Sequence, residues 1–501
     1  MVKVLASATL ICVLMVLLGI NRGFDITDEG LYVLLADPFQ QNVAGIFNYD
    51  LFFKSFYQLT NYTFSLVELR FLRLISYLAG AWALMGFWKN VTGETKPNPT
   101  VFWISCLGIF AGYGFLPPTI SYNSITVVLI CFWLMLVSKP ELTFKHLAFL
   151  GLLLAILVYA KITLAILFFP LTFSMLLGFH KVRIPISFFI LLPIILFETI
   201  FFILFKESAL TRLAEGIPLN SQRSSYQLKQ MLISIAVGGF WITVPGTLFF
   251  GLGYLNRIKS KFFLLLLPLP LLVIYWITSY THITPEWNHL FLFSSAAMFG
   301  FCLGWKGIAQ SFPQFWAVAL VFMPFVLHFG SNVYWLRIGI HYWVFWLLAF
   351  ILAWDGLNRK PAVLISVFSV LLVFNGIWWQ PFGQDQPLWA QKTHWNVGEK
   401  GNLFLDPQLA IISQKLQESL SEPAQKSVLA AYRVPGLMWL AGRQIPFSPG
   451  IWDKPQLKAL FETKPQKMIF HNLESLPQNW SFVHQKEMGV FQGDTLRLLW
   501  D

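Results

Sequence analysis

Charged residues are scarce in this chain: they make up 12% of the 501 residues, whereas soluble domains carry about 25%. Hydrophobic residues account for 56% of the chain, and the mean hydropathy is +0.62. This composition excludes an ordinary soluble globular protein. It predicts a polytopic α-helical membrane protein.

Cysteine is rare too, and the four cysteines lie inside apolar runs with no metal-ligand spacing. They therefore indicate neither a disulfide framework nor a zinc site. Internal repeats, low-complexity tracts and coiled-coil heptads are also missing. The first apolar run follows Lys3 as a signal peptide would, but it lacks an A-x-A-type cleavage site, so we expect a retained signal anchor.

Apolar runs long enough to cross a bilayer recur along the chain. We predict about thirteen spans, at residues 4–20, 70–88, 101–117, 119–137, 147–160, 162–179, 184–205, 231–253, 262–279, 290–304, 313–329, 338–354 and 361–379. The net charge of +11 would suggest nucleic acid as the partner of a soluble protein. Here the basic residues follow the positive-inside rule instead, and we expect no nucleic acid partner.

The charge distribution also sets the predicted orientation. With the N-terminus in the cytoplasm, every inner loop is net positive. Merging residues 147–179 into one span would invert all later loops and leave the basic segments 255–261 and 359–360 outside. The sequence thus predicts a multi-pass protein of the cell membrane (the inner membrane in a bacterium) with an extracytoplasmic C-terminal domain.

Two domains follow from this arrangement. Residues 1–379 form the predicted transmembrane domain, whose outer loop 21–69 carries apolar spacing typical of short surface helices at 30–37 and 44–57. Residues 380–501 form a predicted soluble α/β domain. Its helical patterns lie at 406–420 and 454–461, and its strand patterns lie at 468–470 and 495–500.

One polar stretch stands out in the first outer loop. Asp25, Asp28 and Glu29 place three carboxylates within five residues. Their mutual repulsion can raise the pKa of one carboxyl towards that of a working base. The alternative is a polar helix-exit loop in which Asp28 caps the following helix, and residue chemistry alone favours this alternative.

The predicted topology gathers other polar groups on the same outer face. Carboxylates beside cations suit a negatively charged, lipid-borne substrate with a nearby base. Lys161 lies between two apolar runs, as an interfacial anchor or as a phosphate ligand. The other members of this group are Tyr32, Lys54, Tyr57, Arg70, Arg73, Tyr122, Asn123, Lys206, Arg212, Arg223, Lys229, His282, Glu286, His289, Arg337 and His341.

Two pairs in this group have competing interpretations. Arg337 and His341 lie where the twelfth span begins, as a helix-end cap or as phosphate contacts. His282 and His289 flank Glu286, but Pro285 interrupts the helical spacing that a metal pair needs. We therefore expect a substrate-contacting loop there rather than a metal site.

The segment Asp28-Glu29-Gly30-Leu31-Tyr32, placed directly after the first span, resembles the GT-C superfamily of membrane glycosyltransferases. It is most similar to the branch of protein O-mannosyltransferases and the lipid A aminoarabinose transferase. The segments 69–76 and 161–163 are similar to that branch as well. So is the layout of residues 1–380, with about thirteen spans and an outer tail.

The resemblance implies transfer of a sugar from a polyprenyl-phosphate donor to a lipid, glycan or protein acceptor on the outer face. Asp28 and Glu29 would be the catalytic acids, with Asp28 as general base and Glu29 and Tyr32 shaping the site. Lys161 would hold the donor phosphate, and Lys54 would be a basic residue of the first loop. The other implied substrate-binding residues are Asp25, Tyr57, Tyr122, Asn123, Arg337 and His341.

The sequence departs from this branch at Asn123, where members often carry a second acidic residue. An amide is a poorer metal ligand than a carboxylate. We therefore predict no metal site and no firm cofactor, and a divalent-metal requirement stays open. Two alternative functions also stay open: an O-antigen ligase or polymerase, and a transporter or flippase of lipid-linked sugars.

Overall fold

The computed structural model describes residues 1–43, 47–220, 227–259, 262–281, 286–307, 314–331, 333–354, 359–398, 401–420, 431–463, 468–473 and 482–501. It is 71% helical, and a small sheet region lies near the C-terminus. This agrees with the predicted helical membrane protein.

Six helices among the described residues are long and apolar enough to cross a membrane. They span Leu66–Thr92, Phe144–Gly178, Ile184–Phe205, Leu228–Arg257, Trp335–Ala353 and Lys360–Trp379. Five further apolar helices have 10–17 residues: Val2–Leu18, Pro99–Gly114, Tyr122–Val137, Pro268–Tyr280 and Phe315–His328. The predicted number of thirteen spans is not confirmed.

The α-helices begin and end as follows. They are α1 (Val2–Leu18), α2 (Asp28–Ala36), α3 (Asp50–Thr60), α4 (Leu66–Thr92), α5 (Pro99–Phe110), α6 (Tyr122–Val137), α7 (Phe144–Gly178), α8 (Ile184–Ser187), α9 (Leu192–Phe205), α10 (Ala209–Asn220), α11 (Leu228–Arg257), α12 (Phe262–Leu266), α13 (Pro268–Tyr280), α14 (Trp287–Lys306), α15 (Gln314–His328), α16 (Trp335–Ile338), α17 (Trp343–Ala353), α18 (Arg359–Val373), α19 (Pro407–Ser419), α20 (Pro435–Leu440) and α21 (Lys454–Thr463).

The strands lie in the C-terminal tail. They are β1 (Thr393–Asn396), β2 (Asn402–Leu405), β3 (Ala431–Tyr432), β4 (Met468–His471), β5 (His484–Phe491) and β6 (Asp494–Trp500). Strands β1 and β2 form an antiparallel pair. The other four form a sheet in the order β3-β4-β6-β5, in which β3 and β4 are parallel and the remaining pairs are antiparallel.

Several predicted elements are present. The short helices of the first loop appear as α2 and α3. Helix α2 is buried rather than at the surface, and α3 begins only at Asp50, with residues 44–46 outside the described part of the chain. In the tail, α19 and α21 match the helical patterns, and β4 and β6 match the strand patterns. These segments combine clear apolar periodicity with capping or turn residues, so their secondary structure can be predicted from the local sequence.

The chain divides into two compact units. The first comprises residues 1–13, 77–115 and 228–375, and the second comprises 14–76, 116–227 and 376–501. The tail and the first outer loop belong to the second unit, which contains all the acidic residues of the candidate site.

The core of the second unit draws on both the first loop and the tail. Phe24, Ile26 and Leu34 share one buried apolar cluster with Leu437 and Leu498, and the ring of Phe24 stacks on Trp439 with centroids 5.1 Å apart. The first loop and the tail, which lie on opposite sides of residue 379 in the sequence, therefore bury their apolar side chains in one shared core. The predicted domain boundary at that position stays a prediction.

Helices α2 and α20 meet through two glycines. A Cβ atom on Gly30 would lie 2.3 Å from the Cα of Gly436, so only a glycine permits this approach. The N–H of Gly436 donates to the carbonyl oxygen of Ile26 at 2.8 Å. This contact fixes the start of α2 against the tail.

Candidate functional site

Helix α2 begins inside the acidic motif, and Asp25 organises its start. The Asp25 carboxylate accepts hydrogen bonds from the N–H of Glu29 at 2.9 Å and from the N–H and hydroxyl of Thr27 at 3.1 and 2.8 Å. In return, Glu29 accepts from the N–H of Asp25 at 3.2 Å. Such reciprocal bonds satisfy the unpaired donors of a helix N-terminus. The capping carboxylate is thus Asp25, and the alternative interpretation of Asp28 as the cap was wrong.

Glu29 is buried in an ion pair with Arg70 of α4. The guanidinium donates to both carboxylate oxygens, at 2.9 and 2.8 Å, and the hydroxyl of Thr119 donates to the same carboxylate. Arg70 also donates to the carbonyl oxygens of residues 20, 22 and 23, at 2.9, 2.8 and 2.8 Å. Because its oxygens are engaged in this way, Glu29 holds the loop against α4. Its predicted catalytic role stays a prediction.

Asp28, the first residue of α2, differs sharply from its neighbours. Its side chain is partly buried, and no described residue donates a hydrogen bond to its carboxylate. Burial raises the pKa of Asp28 from 3.8 to about 6, since a carboxylate loses hydration when it leaves water. A carboxyl group with unoccupied oxygens and such a pKa suits a general base near neutral pH.

The pKa of Asp25 is raised further, to about 8, first by complete burial and then by the charge of Asp28, while the hydrogen bonds from Glu29 and Thr27 oppose the increase. The motif therefore holds three carboxyl groups in three different environments. Glu29 is paired with a cation, Asp25 accepts hydrogen bonds from the N–H groups of Thr27 and Glu29, and Asp28 keeps its oxygens available. Different surroundings of this kind can give carboxyl groups in one site different chemical roles.

Three tyrosines, Tyr32 of α2 with Tyr49 and Tyr122, pack in one cluster. Tyr32 is buried and packs edge-on against Tyr122 with centroids 6.2 Å apart, while Tyr122 stacks on Phe47 at 4.1 Å. Tyr49 is buried, and its hydroxyl has no hydrogen-bond partner among the described residues. Burial, followed by nearby charges that include Asp28, raises the pKa of both Tyr32 and Tyr49. The predicted residues Tyr32 and Tyr122 are thus brought together, and the charge of Asp28 acts on Tyr32.

Asn123 lies in the first turn of α6, which Ser121 and Ser124 cap reciprocally. Its side chain is buried, and neither its amide nitrogen nor its amide oxygen has a hydrogen-bond partner within the described residues. An unsatisfied buried amide is costly, so a bound polar group is the expected partner. The predicted substrate-binding role of Asn123 stays a prediction.

Lys161 interrupts α7. Its φ of −154° and ψ of 85° are non-helical, so the predicted spans 147–160 and 162–179 form one kinked 35-residue helix. The side chain is 4% exposed and therefore sits inside the fold rather than at its surface. A buried ammonium group within an apolar helix is a candidate functional site.

Two other predicted residues line one pocket. Lys54 forms an ion pair with Asp50 at 3.0 Å, and Tyr57 packs edge-on against Phe39 at 5.0 Å. Asp50 also binds the guanidinium of Arg212 at 2.5 and 2.9 Å. Burial acts to lower the pKa of Arg212, but Asp50 and then Glu207 outweigh it, and the pKa is raised.

The remaining predictions fall elsewhere. Arg337 and His341 belong to the first unit. Arg337 is exposed and pairs with Glu286 at 2.5 Å, whereas His341 is buried next to Gly112. Their predicted phosphate contacts stay predictions, while His282 and Arg223 lie outside the described residues. Within those residues no three His, Cys, Asp or Glu side chains form a group that could hold a metal ion.

Sequence reasoning missed several partners in the site. It did not predict the ion pairs of Arg70 with Glu29 and of Arg212 with Asp50. It also did not predict the hydrogen bond from Thr119 or the contact between Gly30 and Gly436. The signal for the ion pairs was a cation in a predicted outer segment, but many cations shared that property. Pro435-Gly436 is typical of a turn, but it begins helix α20, and no local pattern marks the close approach of Gly30 to Gly436.

Comparisons with protein-family models, curated protein sequences and solved structures found no match. The candidate site therefore rests on the sequence and the geometry of these residues.

Proposed function

We propose that the protein is an integral membrane glycosyltransferase. It moves a sugar from a polyprenyl-phosphate-linked donor to an acceptor hydroxyl on the extracytoplasmic face, with Asp28 as the general base. The observation that carries this proposal is the contrast between adjacent residues: Glu29 is locked to Arg70, whereas Asp28 has unoccupied carboxylate oxygens and a pKa near 6. The resemblance of the motif to GT-C enzymes supports the reaction class.

The reaction is a single displacement with inversion. The acceptor oxygen forms a bond to C1 of the donor sugar while its proton passes to the Asp28 carboxylate. The bond between C1 and the phosphate oxygen breaks, and the electron pair leaves with the polyprenyl phosphate. Lys161 offsets the negative charge that develops on that phosphate. Asp25, Glu29 and Arg70 hold α2 so that the Asp28 oxygens face the acceptor.

The orientation belongs to the same proposal. The proposed orientation has a cytoplasmic N-terminus and places the loop 21–69 and the tail 380–501 outside, where lipid-linked donors present their sugars. Single cysteines introduced at exposed positions, such as Lys145 and Gln485, test this in intact cells. An impermeant maleimide is expected to label the second position and not the first.

Mass spectrometry of outer-face glycolipids and glycans is the direct test. Membranes from cells that contain the protein are expected to gain one glycosylated species relative to cells without it. Asp28→Asn should reduce that species at least about 100-fold, because general base catalysis contributes on the order of 10² to 10⁴ in rate.

Asp385→Asn is the matched control, since it removes the same charge from an exposed side chain in the tail. It should leave the product unchanged. Unreduced transfer by a folded Asp28→Asn variant would refute the assignment of the base. Uptake of a lipid-linked sugar by reconstituted protein without any transfer would favour the transporter alternative.

A further inference from the structure

The second unit contains a pocket of about 340 Å³ between the first outer loop and the segment after α9. Lys54, Tyr57 and Gln58 of α3 form one wall, and the loop residues Phe39 and Gln41 form another. The volume falls within the range of small-molecule sites, about 300–1,000 Å³. None of these residues belongs to the acidic motif.

The pocket has no excess of positive charge. Lys54 is paired with Asp50 at 3.0 Å, and Arg212 pairs with Asp50 at 2.5 Å and with Glu207 at 2.7 Å. Two cations and two carboxylates therefore neutralise one another at the pocket, whose lining includes Lys54 and Glu207. A phosphate held here would have to compete with these carboxylates for its cations. The geometry thus argues against a phosphate-binding role for Lys54.

Apart from Lys54 and Glu207, the polar side chains of the lining are uncharged. Tyr57 is partly exposed, and no described residue forms a hydrogen bond with its hydroxyl. The Gln58 side chain is exposed at the pocket rim, and its amide likewise has no partner among the described residues. Gln41 accepts from the N–H of Phe447 at 2.9 Å, which leaves its amide hydrogens to donate. Together they supply both donors and acceptors.

Aromatic rings supply the other half of the lining. Phe39 is 56% exposed, so much of its ring is accessible to a ligand. It meets Tyr57 edge-to-face, with centroids 5.0 Å apart and planes at 71°. Amides and a phenol beside an exposed ring match a pyranose, which offers hydroxyls at its edge and C–H groups on its face.

We propose that this pocket binds an uncharged sugar residue of the acceptor. The identification of the ligand as an acceptor rests on the proposed function. The pocket itself indicates the substrate class, a neutral glycan. Gln41, Gln58 and Tyr57 hydrogen-bond the hydroxyls, and Phe39 packs against the sugar face. Lys54 and Arg212 stay paired with Asp50 and bind no phosphate.

Binding of neutral saccharides to the full-length protein in lipid nanodiscs tests this. The probes are an array of neutral oligosaccharides and, as the anionic alternative, sodium pyrophosphate. We expect the wild type to bind at least one neutral saccharide. Tyr57→Ala/Gln58→Ala should weaken that binding about tenfold or more, the effect of losing about 1.4 kcal/mol. Gln485→Ala, an exposed change in the tail, should leave it unchanged.

Asp28→Asn separates this inference from the proposed function. It should bind the saccharide as the wild type does while failing to transfer sugar. If Asp28→Asn keeps full transfer but the pocket variant loses saccharide binding, the assignment of the base fails and the sugar site stands.

Three results would overturn the sugar site. The first is that the wild type binds no neutral saccharide. The second is that a folded pocket variant binds the saccharide as the wild type does. The third is that pyrophosphate displaces the saccharide from the wild type but no longer does so from Lys54→Met. Saccharide binding that survives pyrophosphate and Lys54→Met, yet falls with the pocket variant, would support it.

Discussion

The backbone N–H of Asn48 donates to the carbonyl oxygen of Tyr159 at 2.8 Å. In a regular helix that oxygen would accept from the N–H four residues on, but the break at Lys161 disrupts this turn. The first outer loop therefore completes the hydrogen bonding of α7 where the buried lysine sits. Asn48 also accepts from Arg212 at 3.3 Å, so the kink, the loop and the ion-pair network form one structure.

Lys161→Met tests whether this buried lysine serves the donor phosphate. We expect the KM for the lipid-linked donor to rise at least about tenfold, a loss of about 1.4 kcal/mol. The melting temperature is measured alongside, because Lys161 has an interaction within the fold that the substitution also removes. Lys145→Met, an exposed change on the same helix, serves as the control. A lower melting temperature with unchanged kinetics would instead assign Lys161 to structure.

Transfer should depend on pH through Asp28. A general base must be ionised, and burial places the pKa of Asp28 near 6. The logarithm of kcat/KM is therefore expected to rise with unit slope below pH 6 and to level off above pH 7. An ordinary aspartate, with a pKa of about 3.9, would already be fully ionised at pH 5.5. A profile that stays flat down to pH 4.5 would contradict the role of Asp28.

The raised pKa of Asp28 should also make the free energy of unfolding depend on pH. Because the pKa of Asp28 is raised on folding, from 3.8 to about 6, ionisation opposes folding. The wild type should therefore lose stability as the pH rises from about 4 to about 6. Asp28→Asn lacks this penalty, so it should gain on the order of 1 to 3 kcal/mol over the wild type at pH 7.5 and little at pH 4.

Thermal melts of the purified protein at the two pH values measure this difference. Asp385→Asn should follow the wild type at both. An Asp28→Asn variant less stable than the wild type at pH 7.5 would show that the Asp28 carboxylate has a stabilising partner.

The sequence predicted those parts of the structure that depend on neighbours along the chain. The short helices of the first loop, the helices α19 and α21, and the strands β4 and β6 follow apolar periodicity and turn residues. Lys161 marked the interruption of α7, because a lysine rarely sits inside an apolar run. Whether one kinked helix or two spans result was not predictable, since Asn48 completes the kink from a distant loop.

The roles of the acidic residues were less predictable for the same reason. Glu29 and Arg70 are 41 residues apart, and Asp50 and Arg212 are 162 apart. No spacing rule connects such pairs, because only the tertiary fold brings them together. The motif alone therefore gave Asp28 and Glu29 similar roles, and the ion pair with Arg70 is what separates them.

Replacement of the buried ion pair should show asymmetric effects. Arg70→Gln leaves Glu29 buried without its cation and removes donors to three carbonyl groups, so we expect a loss of about 3 to 5 kcal/mol. Glu29→Gln keeps an acceptor for Arg70 and should cost less. The double variant should cost less than the sum of the two, as measured by denaturation in detergent. Strictly additive losses would contradict direct pairing.

Gly30→Ala tests whether the tail positions the acidic motif. The added Cβ would lie 2.3 Å from both the Cα and the N of Gly436, and backbone atoms cannot rotate away. Helix α2 must shift, which should break the hydrogen bond from Gly436 to Ile26, at 2.8 Å. Overpacking of this kind costs about 1 to 3 kcal/mol. Transfer should fall further than stability does, because the same shift moves Asp28.

Gly178→Ala is the matched control for this change. Gly178 ends α7, and a Cβ atom added there would meet no described atom within 4 Å, so alanine should be neutral or slightly stabilising. The melting temperature and the transfer rate of the two variants are compared side by side. If Gly30→Ala melts and transfers like Gly178→Ala, the close approach of α2 and α20 does not hold the motif, and Asp28 must be positioned by Glu29 and Arg70 alone.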